Sequence, residues 1–265
     1  MGLKDQLAGT LPPEILPLVP DRFEVIGTIA VLALPPLPGP YKRRVAEAIV
    51  SGRRNIGTVL NRTGPAAGAG RTACYETILG DTTVTVHRES GFSYRLDVAR
   101  SFFSGKLVHE RQRVAGQVLP GERVYVPFAG VGPFAIPAAA RGAVVEAAEQ
   151  NPDAYRWLAE NIRLNRVAPA CTARQGDALD LSRLHNARYD RLIIPAPYGM
   201  DAALDVLLPI LSPGGTAHFY TFRAKEEIPA LLREYGAKGC SVRYQRRCGN
   251  VAPGISRWVF DLERQ

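Results

Sequence analysis

The chain is predicted to be an α/β protein, with a doubly wound parallel sheet preceded by a small α+β region. Two observations carry this. From Gly121 onward, short apolar runs rich in β-branched residues alternate with amphipathic helical stretches, the pattern of βα units in a parallel sheet. Before about Asp97 there is no such alternation, and the strand-like runs are separated by tight turns. The expected division is therefore residues 1–97 as a small domain, 98–120 as linker and connecting helix, and 121–265 as the doubly wound domain.

In chain order, Pro12-Pro13-Glu-Ile-Leu reads as a short helix after a proline start. Phe23 to Leu34 reads as two strands hinged at Gly27, and Tyr41 to Val50 as a helix with Val45, Ala48 and Ile49 on one face. Asn55–Leu60 is a strand candidate, and Asn61 to Arg71 is too glycine-rich for regular structure. Thr82–Arg88 and Phe92–Val98 alternate as strands around a Ser90-Gly91 turn. A helix is expected over Leu107–Leu119.

The doubly wound part follows. Its strands are expected at Val124–Phe128, Gly142–Ala148, Ala170–Arg174, Tyr189–Ile194, Thr216–Phe222, near Ser241–Arg246 and at Arg257–Leu262. Helices are expected at Pro133–Ala140, Pro152–Asn165, Ser182–Leu184, Asp201–Leu211 and Lys225–Tyr235.

The bulk properties exclude several classes. Of 265 residues, 46% are hydrophobic and 22% charged, which suits a protein with a real core. No apolar run approaches the ~18 residues of a membrane span, and no apolar segment follows the N-terminal Met1-Gly-Leu-Lys as a signal peptide requires. The four cysteines, Cys74, Cys171, Cys240 and Cys248, lack metal-binding spacing and point to a reducing, cytoplasmic setting without a metal. A net charge of +8 leans toward a polyanionic partner such as nucleic acid. Nothing signals an oligomer, so a monomer is expected.

A ligand site is expected where the sheet's strands end. Val124–Phe128 runs into Gly130-Val-Gly132, and Pro133 suits the first position of a helix. A glycine turn before a helix N-terminus favours polar or anionic ligand groups. Glu149 follows the second strand, where a carboxylate can accept both hydroxyls of a ribose. Asp177, in Gly176-Asp-Ala178, follows the third and can accept from the exocyclic amine of adenine. A dinucleotide site shares the first two elements, but the third glycine of G-x-G-x-x-G is missing, since Phe134-Ala135 follows the turn. The reading is an adenosyl ligand without a pyrophosphate, S-adenosylmethionine. The candidate contacts are Phe128, Gly130, Gly132, Phe134, Glu149, Asp177, Ala178 and Pro195.

The run Phe128-Ala-Gly-Val-Gly-Pro-Phe134, with Glu149-Gln-Asn-Pro152 and Glu160-Asn-Ile-Arg-Leu-Asn165, resembles the archaeal and eukaryotic tRNA guanine-37 N1-methyltransferases. It is equally similar to their paralogues, the wybutosine-pathway aminocarboxypropyltransferases. The likeness extends through Leu96-Asp-Val-Ala, Phe103-Ser-Gly-Lys-Leu-Val-His-Glu-Arg111, and Arg71 with Glu76, Gly80 and Val84-Thr-Val-His-Arg-Glu89.

The resemblance implies a class I methyltransferase domain behind a small RNA-positioning domain, acting on the purine 3′ of the tRNA anticodon. It implies Glu110 as the general base and Arg71 as the cation that stabilises charge on the guanine O6. It also supports Glu149 and Asp177 as cofactor contacts. By composition alone Glu110 would pass for a surface acid and Arg71 for a loop cation.

Three departures stand out. Val126 replaces an acid of the first strand, Ser104-Gly105-Lys106 replaces S-P-R, and Pro195-Ala196-Pro197 replaces the N-L-P that faces the target base. Substrate contacts then fall to Lys106, Pro197 and Tyr198. His218-Phe-Tyr-Thr221 favours methyl transfer, while the lost asparagine favours aminocarboxypropyl transfer. An RNA-binding relative without catalysis and a small-molecule methyltransferase remain rivals.

Overall fold

The computed structural model describes residues 2–64, 73–184 and 188–265, with Arg183 described by its backbone alone. The chain forms two compact units, Met1–Gly105 and Lys106–Gln265.

The first unit opens with α1 (Leu3–Leu7) and a 3₁₀ turn at Leu16–Leu18. It continues with β1 (Glu24–Ile26), β2 (Ile29–Leu32), α2 (Gly39–Gly52), β3 (Thr58–Arg62), β4 (Tyr75–Leu79), β5 (Val84–Glu89) and β6 (Phe92–Asp97). The first four strands form a sheet in that order, and β5–β6 is a separate hairpin. α2 connects β2 to β3, which pair in parallel. The first unit thus contains a βαβ crossover that the lack of repeated alternation did not predict.

Its core joins Leu3 and Leu7 of α1 to Val45, Ala46 and Ile49 of α2 and to Ala30, Leu32 and Val59 of the sheet. The expected strand pair around Gly27 is the β1–β2 hairpin. Gly27 has φ +57°, and a β-carbon there would collide with the Thr85 hydroxyl, so only glycine lets the hairpin turn lie against β5.

Three expectations need correction here. The Pro12–Ile15 stretch is a turn leading into the 3₁₀ segment rather than a helix, β3 runs through Asn61 and Arg62, and β4 was not foreseen. β4 lies at the sheet edge with half-buried side chains, so its burial pattern carries little periodic signal.

The second unit comprises α3 (Val108–Gln117), β7 (Arg123–Val126), α4 (Ala135–Ala140), β8 (Val144–Glu149), α5 (Pro152–Leu164), β9 (Cys171–Gln175) and β10 (Tyr189–Ile194). After these come α6 (Ala203–Leu207), β11 (Leu211–Arg223), α7 (Ile228–Ala237), β12 (Cys240–Ala252) and β13 (Ile255–Arg264). Its sheet has the order β12-β13-β11-β10-β7-β8-β9. The strands from β11 to β9 are parallel, and β13 is antiparallel to both its neighbours.

The chain winds outward from β7 to β9, then crosses back to β10 on the other side of β7. The switch point between β7 and β10 is where such sheets bind ligands. Fully buried Val124, Val126, Leu192, Ile193 and Ile194 hold the two central strands.

α5 shows why this part was readable from sequence. Asn151 caps it, its side chain accepting from the Asp153 and Ala154 N–H groups, and Pro152 occupies the first turn. Ala154, Trp157, Leu158, Asn161 and Ile162 form one buried stripe.

Elsewhere the elements are shorter or longer than expected. Pro133 lies outside α4, because the left-handed Gly132 precedes it and the helix starts only at Ala135. The expected Asp201–Leu211 helix is α6 followed by a 3₁₀ turn at Leu208–Ile210, since Pro209 cannot donate an N–H to continue it. The terminal hairpin extends past the expected strands to Ala252 and Ile255.

Among the described residues, no helix is long and apolar enough to cross a membrane and no residue group could hold a metal ion. The cysteines are all unpaired.

Candidate functional site

One wall of the site is built from backbone. After β7, three residues take left-handed conformations within five positions: Phe128 (φ +54°), Gly130 (φ +57°) and Gly132 (φ +96°). Phe128 bears the cost of about 1–2 kcal/mol for a non-glycine in that region and packs against the core containing Ala196 and Ala148. A β-carbon on Gly132 would come within 2.9 Å of both Ile136 and Leu158 methyls. This glycine is therefore demanded by packing as well as by φ. The fully buried Asn161 holds the turn from behind, its amide donating to the Val131 carbonyl at 3.0 Å.

Glu149 closes this wall at the end of β8. Its Oε2 accepts the Gly130 N–H at 2.7 Å and its Oε1 accepts the Asn151 N–H at 2.8 Å. Burial raises its pKa, against these backbone donors. The Gly176 N–H donates to the Glu149 carbonyl at 3.0 Å, which brings the ends of β8 and β9 together. Asp177, exposed just beyond, accepts the Leu179 N–H at 2.9 Å. Ala178 is buried and its carbonyl takes the Tyr125 hydroxyl at 2.8 Å. Gly130, Gly132, Glu149 and Asp177 thus lie at the carboxyl ends of β7, β8 and β9.

Across the switch point, β10 ends in Pro195-Ala196-Pro197. Ala196 is buried in the core, and the Pro197 carbonyl accepts the Met200 N–H. Neither proline offers an N–H. Tyr198 is 61% exposed, its ring 5.4 Å from that of Phe222.

The other wall is built from side chains. Glu110, in the first turn of α3, is 3% exposed. Its Oε2 receives Arg113 Nε at 2.9 Å and the Tyr220 hydroxyl at 3.2 Å. Its Oε1 is buried without a hydrogen-bond partner among the described residues. Arg246 Nη1 stands 3.6 Å from it. Phe134, at the end of the glycine turn, packs its ring 5.3 Å from the Tyr220 ring. Tyr220 therefore joins the two walls.

Behind Glu110 runs a chain of charges. Arg113 pairs bidentately with Asp261 at 2.5 and 3.0 Å. Asp261 Oδ1 lies 2.7 Å from His218 Nδ1, and His218 Nε2 lies 2.8 Å from Arg191. Arg191 then pairs with Glu122 at 2.8 and 2.9 Å. A guanidinium can only donate, so His218 Nε2 is an acceptor and the Nδ1–H donates to Asp261. His218 is neutral with a defined tautomer.

Burial lowers the His218 pKa more than Asp261 raises it. Burial opposes the charge of Asp261, yet hydrogen bonds from His218 and Arg113 hold its carboxyl well below the usual range. Burial likewise opposes the charge of Arg113, and Asp261 outweighs it. Burial and the nearby Glu110 raise the Tyr220 hydroxyl well above its ordinary value.

Of the residues expected from sequence, the structure brings together Phe128, Gly130, Gly132, Phe134, Glu149, Asp177, Ala178 and Pro195 around the strand ends, with Glu110 beyond Tyr220. Lys106 is exposed in the turn before α3. Arg71 lies outside the described residues. Glu76 and Gly80 of the same motif are structural. Glu76 is held by Lys42 and Asn61, and a β-carbon on Gly80 would strike the Thr58 hydroxyl.

Sequence reasoning missed Arg113, Asp261, Arg191 and Asn161. Arg113 is visible as an i+3 partner of Glu110. Asp261 carries no local signal, because its partners are distant in sequence.

A family model described as the TRM5/TYW2 methyltransferase domain matches residues 85–238. A second, the TYW2 N-terminal domain, matches residues 3–83. The chain is 33% identical over 252 residues to the tRNA (guanine(37)-N(1))-methyltransferase Trm5b of Pyrococcus abyssi, covering 92% of this chain and 74% of that one. It is also 33% identical over 269 residues to the tRNA(Phe) (4-demethylwyosine(37)-C(7)) aminocarboxypropyltransferase of Pyrococcus horikoshii, covering 98% and 95%. The crystal structure of Pyrococcus horikoshii TYW2 in complex with MeSAdo superposes with a TM-score of 0.79 at 31% identity, covering 98% of this chain and 97% of that one.

Proposed function

The chain belongs to the TRM5/TYW2 methyltransferase family, and from that footing we propose that it is an S-adenosylmethionine-dependent enzyme modifying tRNA at position 37, by methylating guanine N1. The observation that carries the reading is the buried Glu110 carboxylate. It stands next to the glycine-turn wall and keeps one oxygen without a hydrogen bond.

The chain's residues fit the cofactor. A carboxylate offers about four acceptor sites, so the backbone donors at Glu149 leave capacity for ribose hydroxyls. Asp177 has its Oδ2 to offer an adenine amine, and the Gly130–Gly132 backbone admits a close ligand. When bound, S-adenosylmethionine supplies an activated methyl on a sulfonium.

Guanine N1 carries a proton at neutral pH, so its lone pair must be released for methyl transfer. Glu110 Oε1 accepts that proton, and the electron pair left on N1 would take the methyl group, whose bond to sulfur would break with its electrons left on sulfur. Arg71 is proposed to stabilise the charge that develops on O6. The target base leaves the anticodon stack to reach the site, and exposed Tyr198 gives it a stacking partner beside Pro197. Lys106 contributes a cationic contact. The first unit, with exposed Arg43, Arg44, Arg53, Arg54 and Arg62, is proposed to hold the tRNA backbone. The protein acts as a monomer in the cytoplasm.

A second reading has its own support. The match of residues 3–83 to the TYW2 N-terminal domain and the loss of the asparagine at Pro195 favour aminocarboxypropyl transfer. Mass spectrometry of tRNA after incubation with S-adenosylmethionine separates the two. One substrate is a transcript bearing guanine at position 37, and the other is tRNA bearing the tricyclic 4-demethylwyosine there. A single added methyl on the first supports the proposal, and an aminocarboxypropyl group on the second replaces it. Failure to bind S-adenosylmethionine by calorimetry ends both.

A further inference from the structure

The two oxygens of Glu110 are in unequal surroundings. Oε2 is saturated by Arg113, whose Nε and Nη2 both approach at 2.9 Å, and by the Tyr220 hydroxyl at 3.2 Å. Oε1 has no donor within hydrogen-bond distance among the described residues. A carboxylate free to rotate would exchange these roles. The bidentate Arg113–Asp261 pair prevents that, because it fixes the guanidinium plane through the Nη1/Nη2 edge, next to the Nε/Nη2 edge that faces Glu110. Asp261 is fixed in turn by His218 and by Gln117 Nε2 at 3.2 Å. The ring of Tyr244 lies 4.3 Å from the Arg113 guanidinium and covers it.

We infer that Arg113 and Tyr220, braced by Asp261 and His218, are positioning residues that leave Oε1 as the proton-accepting oxygen of Glu110. The inference rests on the general-base role proposed for Glu110. In the step it describes, the N–H bond of the target nitrogen breaks and its proton forms an O–H bond on Oε1. The electron pair stays on nitrogen, and the neutral carboxyl keeps its contacts to Arg113 and Tyr220 through Oε2.

Among the described residues, the charged and titratable groups around Glu110 are Arg113 on its own helix, Tyr220 on β11, Arg246 and Cys248 on β12, and Asp261 on β13 behind Arg113. Burial pushes the Cys248 thiol up to about 11, and Glu110 adds to the effect, so the thiol does not compete as a base at neutral pH.

The test is single-turnover transfer to a guanine-37 tRNA transcript, with cofactor affinity as the folding control. Arg113→Gln is expected to lower the transfer rate about 10–100-fold with tRNA affinity unchanged. Arg113→Lys restores part of the rate. Asp261→Asn gives a smaller loss than Arg113→Gln, because it loosens Arg113 without removing its charge.

Should Arg113→Gln fail to bind cofactor, Tyr220→Phe decides the matter. That isosteric change is expected to cost about 5-fold in rate with tRNA affinity unchanged. Wild-type rates in the folded variants overturn the inference while leaving the general-base reading intact. No transfer by the wild type, or full transfer by Glu110→Gln, overturns the reading beneath it.

Discussion

The two walls of the site are held by different means. On the glycine-turn side, Gly130, Glu149 and Asp177 are fixed by main-chain N–H groups and by one buried amide, Asn161, all within a stretch of βα units. On the carboxylate side, Glu110 is fixed by Arg113 on the same helix, Tyr220 on β11 and Asp261 on β13. The first wall rests on local conformation and suits a ligand that needs shape and hydrogen bonds. The second rests on long-range ion pairs in a buried setting, where removing one partner exposes the others to an uncompensated charge. A protein can thus keep a cofactor pocket while losing or altering the chemistry beside it, because the two are assembled separately.

That separation predicts how substitutions divide. The largest effect belongs to the carboxylate wall. Glu110→Gln keeps the side-chain volume and is expected to slow transfer by ~10²–10⁴-fold while cofactor and tRNA affinities stay near wild type. Parallel loss of rate and cofactor affinity would show that the walls are one unit.

Next comes Gly132→Ala. It forces a side chain into φ +96° against Ile136 and Leu158, at a cost of about 3 kcal/mol in unfolding free energy. Denaturant titration measures the loss, and cofactor affinity falls with it. Glu110-dependent chemistry in cofactor-saturated protein is expected to survive.

Asn161→Ala acts on the same wall from behind. It leaves the buried Val131 carbonyl unpaired and costs about 1–3 kcal/mol, again read as stability and cofactor affinity together. A variant that lost transfer but bound cofactor normally would move Asn161 to the other wall.

The smallest effect is a pH slope. Burial keeps His218 neutral when folded, whereas an unfolded histidine takes up a proton near pH ~6.5. The unfolded state therefore binds more protons as pH falls below that value, and stability declines by up to ~1.4 kcal/mol per pH unit. Asp261, with its depressed pKa, loses stabilisation only at lower pH, below the ordinary carboxyl range. Glu149 has a raised folded pKa, binds its proton first in the folded state and acts in the opposite sense. The difference in melting temperature between wild type and His218→Gln, followed from pH 7 toward ~5.5, isolates the histidine. The slope is expected in the wild type alone.

How far each wall was legible follows from the same distinction. The strands Val124–Val126 and Tyr189–Ile194, the capped helix from Pro152 and the glycine turn announce themselves through periodicity, β-branching and caps. These are properties of neighbouring residues. Where a proline or an edge position intervened, the local pattern misled. Pro133 suited a helix start, yet the turn before it delays α4 to Ala135. The half-buried edge strand at Tyr75–Leu79 carries too little alternation to be seen.

What the sequence determined by itself was therefore the doubly wound sheet, the glycine turn with its two following acids as the candidate adenosyl contacts, and, through a familiar motif, Glu110 as the candidate base. Local hydrogen bonding and side-chain period are enough for those. Only the tertiary structure decided what surrounds Glu110. It buried the carboxylate, spent Oε2 on Arg113 and Tyr220, left Oε1 without a hydrogen bond among the described residues, and set His218 as a neutral acceptor between Asp261 and Arg191. Those facts depend on residues up to 151 positions apart (110 to 261) meeting in a low-dielectric interior, and no local pattern in the chain encodes that meeting.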